Sequence, residues 1–298
     1  MFLNSIKNKI KIFFRNLKHA YKLINNKEIP KVNLLKFNKS IIVPKNYNKS
    51  FSLTELDSNF ILSSNSSRVN KSRLKEFNNI LKPLNQMNII YFSHKERDNY
   101  MNSSWRNHEI LDIYNNSTFH QSKADIFRYT FLYEHGGFWL DFKSSMLFNP
   151  ADLLSKKNKV VLLLSPRIIE KEKQADIDVE ILKILKNRYI TNWFIGSIHQ
   201  SEFLETVINN ICKKSLSYSG KIFENPKDAI LEFTGPLNLT ESFIEFILKD
   251  QNNINNVRFV DEENHKLVFT TEYSRNFSIL DNVTKFHYSR IKKSKILE

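Results

Sequence analysis

The stretch Gln121–Pro150, QSKADIFRYTFLYEHGGFWLDFKSSMLFNP, predicts a helix, a break and a strand in succession. Residues 123–134 contain no Gly or Pro, and their apolar side chains recur at helical spacing. The two glycines that follow predict the end of this helix, because glycine adopts a left-handed cap without steric cost. Residues 138–140 then form a short apolar strand, and Asp141 is the first charge after it. Since ligands of open α/β sheets bind at the carboxyl ends of strands, Asp141 is predicted to face a ligand.

The predicted helix carries a carboxylate and a guanidinium side by side. Asp125 and Arg128 are three residues apart, so they share one face of the helix. One interpretation is a pair that holds a polar ligand, because the carboxylate accepts hydrogen bonds and the guanidinium donates them. The alternative is an ordinary structural ion pair within a helix.

The block from Ala124 to Asp141 reads A-D-x-x-R-Y-x-x-L-Y-x-x-G-G-x-W-x-D. This pattern resembles the signature of retaining glycosyltransferases with the GT-A fold, of the DXD sugar-binding-region type. That group includes glycosyltransferase family 32-like enzymes, capsular polysaccharide synthesis transferases and yeast initiating mannosyltransferases, and the large clostridial glucosylating toxins carry a similar block. Weaker similarity continues at residues 192–197, at residues 234–240 and at His287. No resemblance extends before about Phe60.

The resemblance implies an α/β fold of the GT-A (Rossmann-like) type, with a mixed sheet flanked by helices. We expect three parts in the chain: a basic amphipathic helix over residues 1–27, a connecting segment over residues 28–58, and a GT-A glycosyltransferase domain over residues 59–298. The absence of internal repeats and of low-complexity linkers favours a single catalytic domain.

The resemblance also implies roles for single residues. Asp125 and Arg128 would bind the sugar of a nucleotide-sugar donor. Asp141 matches the first acid of the DXD motif and would act in catalysis and in donor binding. Gly137 and Lys143 are further candidates for donor binding.

A metal cofactor is left open at this point. In the family the DXD pair binds ribose and a divalent cation, Mn²⁺ or Mg²⁺, but here the motif reads Asp141-Phe142-Lys143. A metal would then bind through Asp141, the diphosphate and a distant ligand such as His287. Alternatively, the Lys143 ammonium takes the place of the cation at the phosphates. The family's Ser-Trp after the late histidine is replaced by Ser289-Arg290, which weakens the metal hypothesis.

Three other features have both functional and structural interpretations. Asn192 is a possible contact to acceptor or donor, or else a buried asparagine that caps a loop. Phe138 and Trp139 are interpreted as core residues rather than stacking platforms. Residues 234–236 are predicted to form a turn whose only functional role would be a backbone contact.

Composition limits the class of protein. With 298 residues and 41% hydrophobic content, the chain is long enough to bury a core. The single Cys212 excludes an intramolecular disulfide and is interpreted as a core residue. The net charge of +14 suits nucleic acid, an anionic membrane or an anionic nucleotide-sugar. Nucleic acid is not favoured, because no helix-turn-helix, zinc-finger or RNP-like pattern occurs.

The first 27 residues contain no acid and have one apolar stripe opposite a basic face. They contain no apolar run of the roughly 20 residues that a transmembrane helix needs, and lysines interrupt any signal-peptide core. One hypothesis is a helix that lies on an anionic membrane surface. The alternative is a helix that packs on its own domain with its lysines in solvent.

The rest of the chain predicts alternating strands and helices. Strands are expected near residues 41–43, 59–62, 87–92, 160–164, 189–195, 257–260 and 267–270, and helices near 73–84, 105–114, 179–186, 202–216 and 239–249. Residues 93–98 are expected to be a polar turn, and Asn238 is expected to cap the last of these helices.

The resemblance therefore implies a hexosyltransferase, retaining at the anomeric carbon, that moves a sugar from a nucleotide-sugar to a glycan or lipid-linked glycan acceptor, for a capsule or lipopolysaccharide. The expected location is cytoplasmic, with peripheral contact to the cytoplasmic face of the membrane. Two alternatives remain: a toxin-like protein glycosyltransferase, and a non-catalytic relative that binds nucleotide or glycan, which Lys143 suggests.

Overall fold

The computed structural model describes residues 31–33, 41–42, 59–63, 68–70, 88–141, 144–146, 150–155, 157–261, 267–269 and 291–298. Contacts divide the chain into residues 1–31 and residues 32–298, and nearly all the described residues lie in the second unit. The predicted helices over residues 1–27 and 73–84 and the site candidates Lys143 and His287 lie outside the described residues.

The structure contains strands and helices in alternation. In chain order the strands are β1 (Lys31–Asn33), β2 (Ile41–Ile42), β3 (Asn59–Ser63), β4 (Arg68–Asn70), β5 (Asn88–Phe92), β6 (Gly137–Leu140), β7 (Ser144–Met146), β8 (Val160–Ile168), β9 (Arg188–Ser197), β10 (Ile222–Phe223), β11 (Val257–Asp261), β12 (Leu267–Phe269) and β13 (Ser294–Lys295). The described α-helices are α1 (His94–Ser104), α2 (Glu109–Asn116), α3 (His120–His135), α4 (Lys171–Gln174), α5 (Val179–Leu185), α6 (Glu202–Tyr218), α7 (Pro226–Phe233) and α8 (Pro236–Lys249). Two 3₁₀ helices span Pro150–Leu153 and Gln251–Asn256.

Seven of these strands form one sheet in the order β11-β8-β9-β6-β3-β5-β2. Strands β2, β3, β5 and β6 are parallel, whereas β9 runs antiparallel to both of its neighbours, β6 and β8. The predicted α/β class with a mixed sheet flanked by helices is therefore confirmed. Strand β2 lies within the predicted connecting segment, yet it pairs with β5. Smaller antiparallel pairs join β7 to β12 and β10 to β13.

The block that decides the fold has the predicted order of helix, break and strand. Helix α3 ends at Gly136, whose φ of +68° lies in the left-handed region. A Cβ at Gly136 would lie 2.8 Å from the backbone nitrogen of His199, so a side chain has no room there. The chain then reverses into β6, all four residues of which are buried.

Side chains alternate along β6 because successive residues of a strand point to opposite faces. Trp139 faces α3, and its ring contacts Phe127 with centroids 6.0 Å apart. Phe138 faces the other side of the sheet, where it stacks on Phe194 with centroids also 6.0 Å apart. Asp141 follows Trp139 by two residues, so the alternation directs it to the α3 side.

Two sequence-based expectations were wrong. Residues 93–98 are not a polar turn, since α1 begins at His94 with Ser93 as its N-cap. The Ser93 side chain accepts from the backbone N–H of Glu96, and the Glu96 side chain accepts from the backbone N–H of Ser93, which is a capping box. Asn238 does not cap α8, because that helix begins earlier, at Pro236, and Asn238 lies inside it.

Within the described part of the chain, no helix combines the length and the hydrophobicity that spanning a bilayer would require.

Candidate functional site

Asp141 lies at the carboxyl end of β6, where the chain leaves the sheet. Its backbone N–H donates to the carbonyl of Trp193 over 2.8 Å, and its own carbonyl accepts from the N–H of Ser144, also over 2.8 Å. The indole N–H of Trp139 donates to the Asp141 Oδ1 atom over 2.9 Å. These bonds fix the carboxylate, while its side chain remains 32% exposed. Asp141 is thus both held in place and open to a ligand.

Arg128 lies on α3, one turn after Asp125, and its guanidinium reaches both Asp125 and Asp141. Its Nη2 atom is 3.1 Å from Asp141 Oδ1 and 3.2 Å from Asp125 Oδ1. Its Nη1 atom donates to the backbone carbonyl of Asn192, and the guanidinium lies 4.9 Å from the centre of the Trp139 ring. Burial alone would lower the pKa of Arg128, but the charges of Asp141 and Asp125 outweigh this and raise it. The guanidinium therefore remains charged and joins the two carboxylates.

Asp125 is a buried carboxyl group with polar partners on β9 and on the turn before α8, besides Arg128 on its own helix. Its Oδ1 atom accepts from Asn192 Nδ2 over 3.0 Å, and its Oδ2 atom accepts from the hydroxyl of Thr234 over 3.2 Å. Burial raises the pKa of Asp125 to about 7, although the Arg128 charge acts in the opposite direction. Near neutral pH this group therefore changes between its protonated and ionised forms.

Asn192 and Tyr129 complete the polar cluster. Asn192 Nδ2 also donates to the Tyr129 hydroxyl over 3.2 Å, and that hydroxyl donates to the backbone carbonyl of Thr234 over 2.9 Å. The chain before α8 is therefore tied to α3 through both the side chain and the backbone of Thr234. Gly235 follows directly, and a Cβ there would lie 2.8 Å from the Cα of Leu231, which keeps this turn tight.

The structure brings together four of the predicted site residues: Asp125, Arg128, Asp141 and Asn192. Gly137 is not part of the cluster. It begins β6, four residues before Asp141, and at roughly 3.3 Å per residue the two lie about 13 Å apart along the strand.

Three residues of the cluster were not predicted to contribute side chains to it. Trp139 is buried as expected, yet its indole N–H also holds Asp141. The period of two along a strand was the available signal, because it places residues 139 and 141 on one face. Thr234 and Tyr129 contribute hydroxyl groups whose partners lie far away in the sequence, and no local pattern indicates such pairings.

The cluster offers both kinds of group that recognise sugar hydroxyls. Carboxylate oxygens of Asp125 and Asp141 accept hydrogen bonds, and Arg128 and Asn192 donate them. The Nε atom of Arg128 is buried and has no hydrogen-bond partner within the described residues. Buried polar atoms are normally paired, so this N–H marks a position where a bound ligand could accept a hydrogen bond.

The described residues do not by themselves form a metal site. No group of three or more His, Cys, Asp and Glu side chains among them is placed to hold a metal ion. Asp141 Oδ1 already accepts from Trp139 and Arg128, and Asp125 accepts from Arg128, Asn192 and Thr234. The position of the second DXD acid holds Lys143.

Comparisons with known structures and sequences found a structural similarity and no curated sequence match. A structure titled "PaToxG Glycosyltransferase" is similar over 67% of this chain and 73% of its own, with 14% sequence identity and a TM-score of 0.46. No curated protein sequence matches the chain.

The family model "Glycosyltransferase sugar-binding region containing DXD motif" matches residues 18–159. The match begins well before Phe60, where the sequence-based resemblance was expected to start, and it ends before Asn192. It covers Asp125, Arg128 and Asp141. Residues 18–159 are thus similar to glycosyltransferase sugar-binding regions with a DXD motif, which confirms the resemblance seen in the block from Ala124 to Asp141.

Proposed function

We propose that this protein transfers a hexose from a nucleotide-sugar donor to a glycan acceptor of the capsule or lipopolysaccharide type. The observation that supports this proposal is the shared cluster of Asp125, Arg128, Asp141 and Asn192 at the carboxyl end of β6. These residues come from one helix and two strands and carry complementary hydrogen-bonding groups. A purely structural ion pair within α3 would not need the partly exposed Asp141.

In this proposal the donor sugar lies against Arg128 and the two carboxylates. Asp125 and Arg128 hold neighbouring hydroxyl groups, since a fixed acceptor and a fixed donor define their geometry. Asp141 faces the anomeric end and is the residue we assign to catalysis. Asn192 contacts donor or acceptor, and Gly137 and Lys143 remain proposed donor-binding residues.

We expect retention at the anomeric carbon because the block from Ala124 to Asp141 resembles retaining transferases. Asp125 and Asp141 both bind Arg128, so neither carboxylate is set apart as a covalent nucleophile. Departure of the diphosphate and attack of the acceptor on the same face of the sugar is therefore the simpler route. Proton NMR of the first product formed checks this expectation: a product with inverted anomeric configuration would contradict it.

The positive charge that stabilises the leaving diphosphate has two proposed sources. The first is Mn²⁺ or Mg²⁺ bound through Asp141, the diphosphate and His287. The second is the Lys143 ammonium, which stands at the position of the second motif acid. Turnover that survives EDTA and is lost in Lys143→Met would support the second source, and turnover restored only by added metal would support the first.

The central test is release of nucleoside diphosphate from a panel of UDP-, GDP- and CDP-sugars. We expect Asp141→Asn to lower kcat/KM by about 100-fold or more, because a preorganised charge at a reacting centre contributes on this scale. Asp176→Asn is a matched control, since Asp176 is exposed on the loop before α5. Equal turnover in wild type and Asp141→Asn would contradict the proposal.

A second candidate is a non-catalytic protein that binds the same donor. The observation behind it is Lys143 in place of the second acid of the motif. Thermal stabilisation by one nucleotide-sugar, without turnover under any metal condition or acceptor tried, would favour this candidate.

A further inference from the structure

Arg97, in the first turn of α1, is a buried cation that forms no ion pair with any described residue. Only 3% of its surface is exposed. Within the described residues its Nε atom has no hydrogen-bond partner, and no carboxylate forms an ion pair with it. Of the two adjacent acids, Glu96 accepts from the backbone N–H of Ser93 and Asp98 accepts from the Tyr114 hydroxyl, both over 2.6 Å.

This arginine lies at the same sheet edge as Asp141. Helix α1 follows the carboxyl end of β5, which is parallel to β3, and β3 is parallel to β6. Burial lowers the pKa of Arg97, and the charge of Arg128 lowers it further, while Tyr114 and Asp98 act in the opposite direction. Arg97 is thus close enough to the Asp125–Arg128–Asp141 cluster to interact with its arginine.

The groups around Arg97 include two histidines and a lysine, together with one carboxylate, Asp98, whose charge acts on Arg97 and on both histidines. The ring of His94 lies 4.4 Å from that of His120, and Lys123 is one turn further along α3. Burial and the Arg97 charge lower the pKa of both histidines, that of His94 to about 4, so these imidazoles are neutral near pH 7. Helix α3 begins here without a side-chain cap, so its first N–H groups point toward the same region.

A buried unpaired charge is costly, because the ion loses its hydration and gains no partner in return. Arg128 forms ion pairs with two carboxylates, whereas among the described residues Arg97 forms none and interacts with Asp98 only at longer range. An anion at this edge would remove the imbalance. A diphosphate suits it, since it carries several oxygens that the guanidinium fork and the uncapped N–H groups of α3 can share. The Lys123 ammonium, which here donates to the Asn115 carbonyl over 3.2 Å, lies at the same end of α3.

We infer that Arg97, together with His94, His120 and Lys123, forms a subsite for the diphosphate of the nucleotide-sugar. The inference rests on the proposed function for the identity of the ligand. It places the phosphates between α1 and α3, beside the sugar at Arg128. The protein would then stabilise the leaving group with its own cation, whichever source of charge acts near Asp141.

Inorganic pyrophosphate is the probe for this subsite, used with the full chain in metal-free buffer at constant ionic strength. We expect saturable thermal stabilisation of the wild type by pyrophosphate and a weaker effect of orthophosphate or sulfate. Arg97→Met should weaken pyrophosphate binding at least tenfold. The pyrophosphate affinity of Arg97→Lys should lie between those of the wild type and Arg97→Met. Arg106→Met removes an exposed arginine and should leave binding unchanged.

Stability without ligand separates this role from a purely structural one. Removing an unpaired buried charge should leave the unliganded protein as stable as before or more stable. A marked loss of stability in Arg97→Met, unchanged pyrophosphate affinity in that variant, or no saturable response in the wild type would each overturn the inference.

The same assay distinguishes failure of this inference from failure of the proposed function. Asp141→Asn should lose turnover and keep its pyrophosphate response. If pyrophosphate stabilises the protein in a way that depends on Arg97, but no nucleotide-sugar is turned over, the transferase proposal is contradicted and the anion subsite is supported. Turnover with unchanged KM and kcat in Arg97→Met would contradict the subsite alone.

Discussion

Asp125 is a buried carboxyl group that titrates near neutral pH. Burial raises its pKa from 3.8 to about 7, against the lowering effect of Arg128. Between these values the folded protein keeps a proton that the unfolded chain releases, so the contribution of Asp125 to the free energy of unfolding falls as pH rises. It is fully present below about pH 4 and is lost once the pH passes about 7.

We therefore expect wild type to lose stability relative to Asp125→Asn as the pH is raised from 4.5 to 7.5. Urea denaturation of both proteins at several pH values measures the difference, with Asp176→Asn, an exposed substitution, measured alongside as the control. A difference that is constant across this range would show that Asp125 is already ionised at pH 4.5.

Trp139 is expected to act on catalysis through Asp141. Trp139→Phe removes the indole N–H that holds Oδ1 and keeps an aromatic ring beneath Arg128. A hydrogen bond to a charged group contributes about 1.5 kcal/mol, so kcat/KM should fall about tenfold. Trp105→Phe is the control, because the Trp105 indole N–H donates to Tyr100 over 3.4 Å. Equal losses in both variants would point to general destabilisation.

At the scale of single residues, the sequence predicted contacts where the residues lie close together along the chain. Asp125, Arg128 and Asp141 could be predicted as neighbours because helix and strand periodicity relates them within one block. The bonds from Asp125 to Asn192 and Thr234 span 67 and 109 residues, and only tertiary packing determines them.

At the scale of elements, the reversal at Gly136 sets how α3 meets β6. Gly136→Ala combines an unfavourable φ with a Cβ 2.8 Å from the backbone of His199. We expect it to lower the free energy of unfolding by about 2–4 kcal/mol, since left-handed backbone and overpacking both contribute.

Gly220 provides the matched control for this substitution. Its φ of +69° is nearly the same, but a Cβ there would meet nothing within 4 Å. Gly220→Ala should therefore cost only about 1 kcal/mol, the backbone contribution alone. Equal urea midpoints for the two variants would mean that the contact with His199 relaxes at no cost.

The elements that were predicted well have strong internal patterns, and the errors have local causes. Helix α3 and strand β8 were found from helical periodicity and from a run of apolar residues. Helix α1 was missed because residues 93–98 are polar, although Ser93 and Glu96 carry the spacing of a capping box. Asn238 suits a cap by residue type, but Pro236 at the first position already begins the helix.

At the scale of the whole molecule, the net charge of +14 and the acid-free first 27 residues predict peripheral binding to anionic membranes. Flotation with liposomes that contain an anionic lipid tests this proposal. We expect wild type to float with anionic liposomes and to stay in the bottom fraction with neutral ones. The chain lacking residues 1–27 should stay in the bottom fraction with both.

A charge variant separates attraction to the membrane from packing within the protein. Replacing Lys7, Lys11 and Arg15 by Gln keeps the apolar stripe and should weaken flotation in a salt-dependent way. Unchanged flotation after the deletion would assign residues 1–27 to packing on their own domain.

The contact from Arg128 to β9 ends on the main-chain oxygen of residue 192 rather than on a side chain. Every amino acid supplies that oxygen, so exchanging the residue at 192 removes the amide bonds to Asp125 and Tyr129 but leaves the guanidinium anchored. An insertion or deletion of one residue between 192 and the strand's pairing with β6 would instead move a different carbonyl into place and reverse the faces of the strand. In engineered versions of this chain, alignment of these two strands should thus be preserved more strictly than the identity of residue 192.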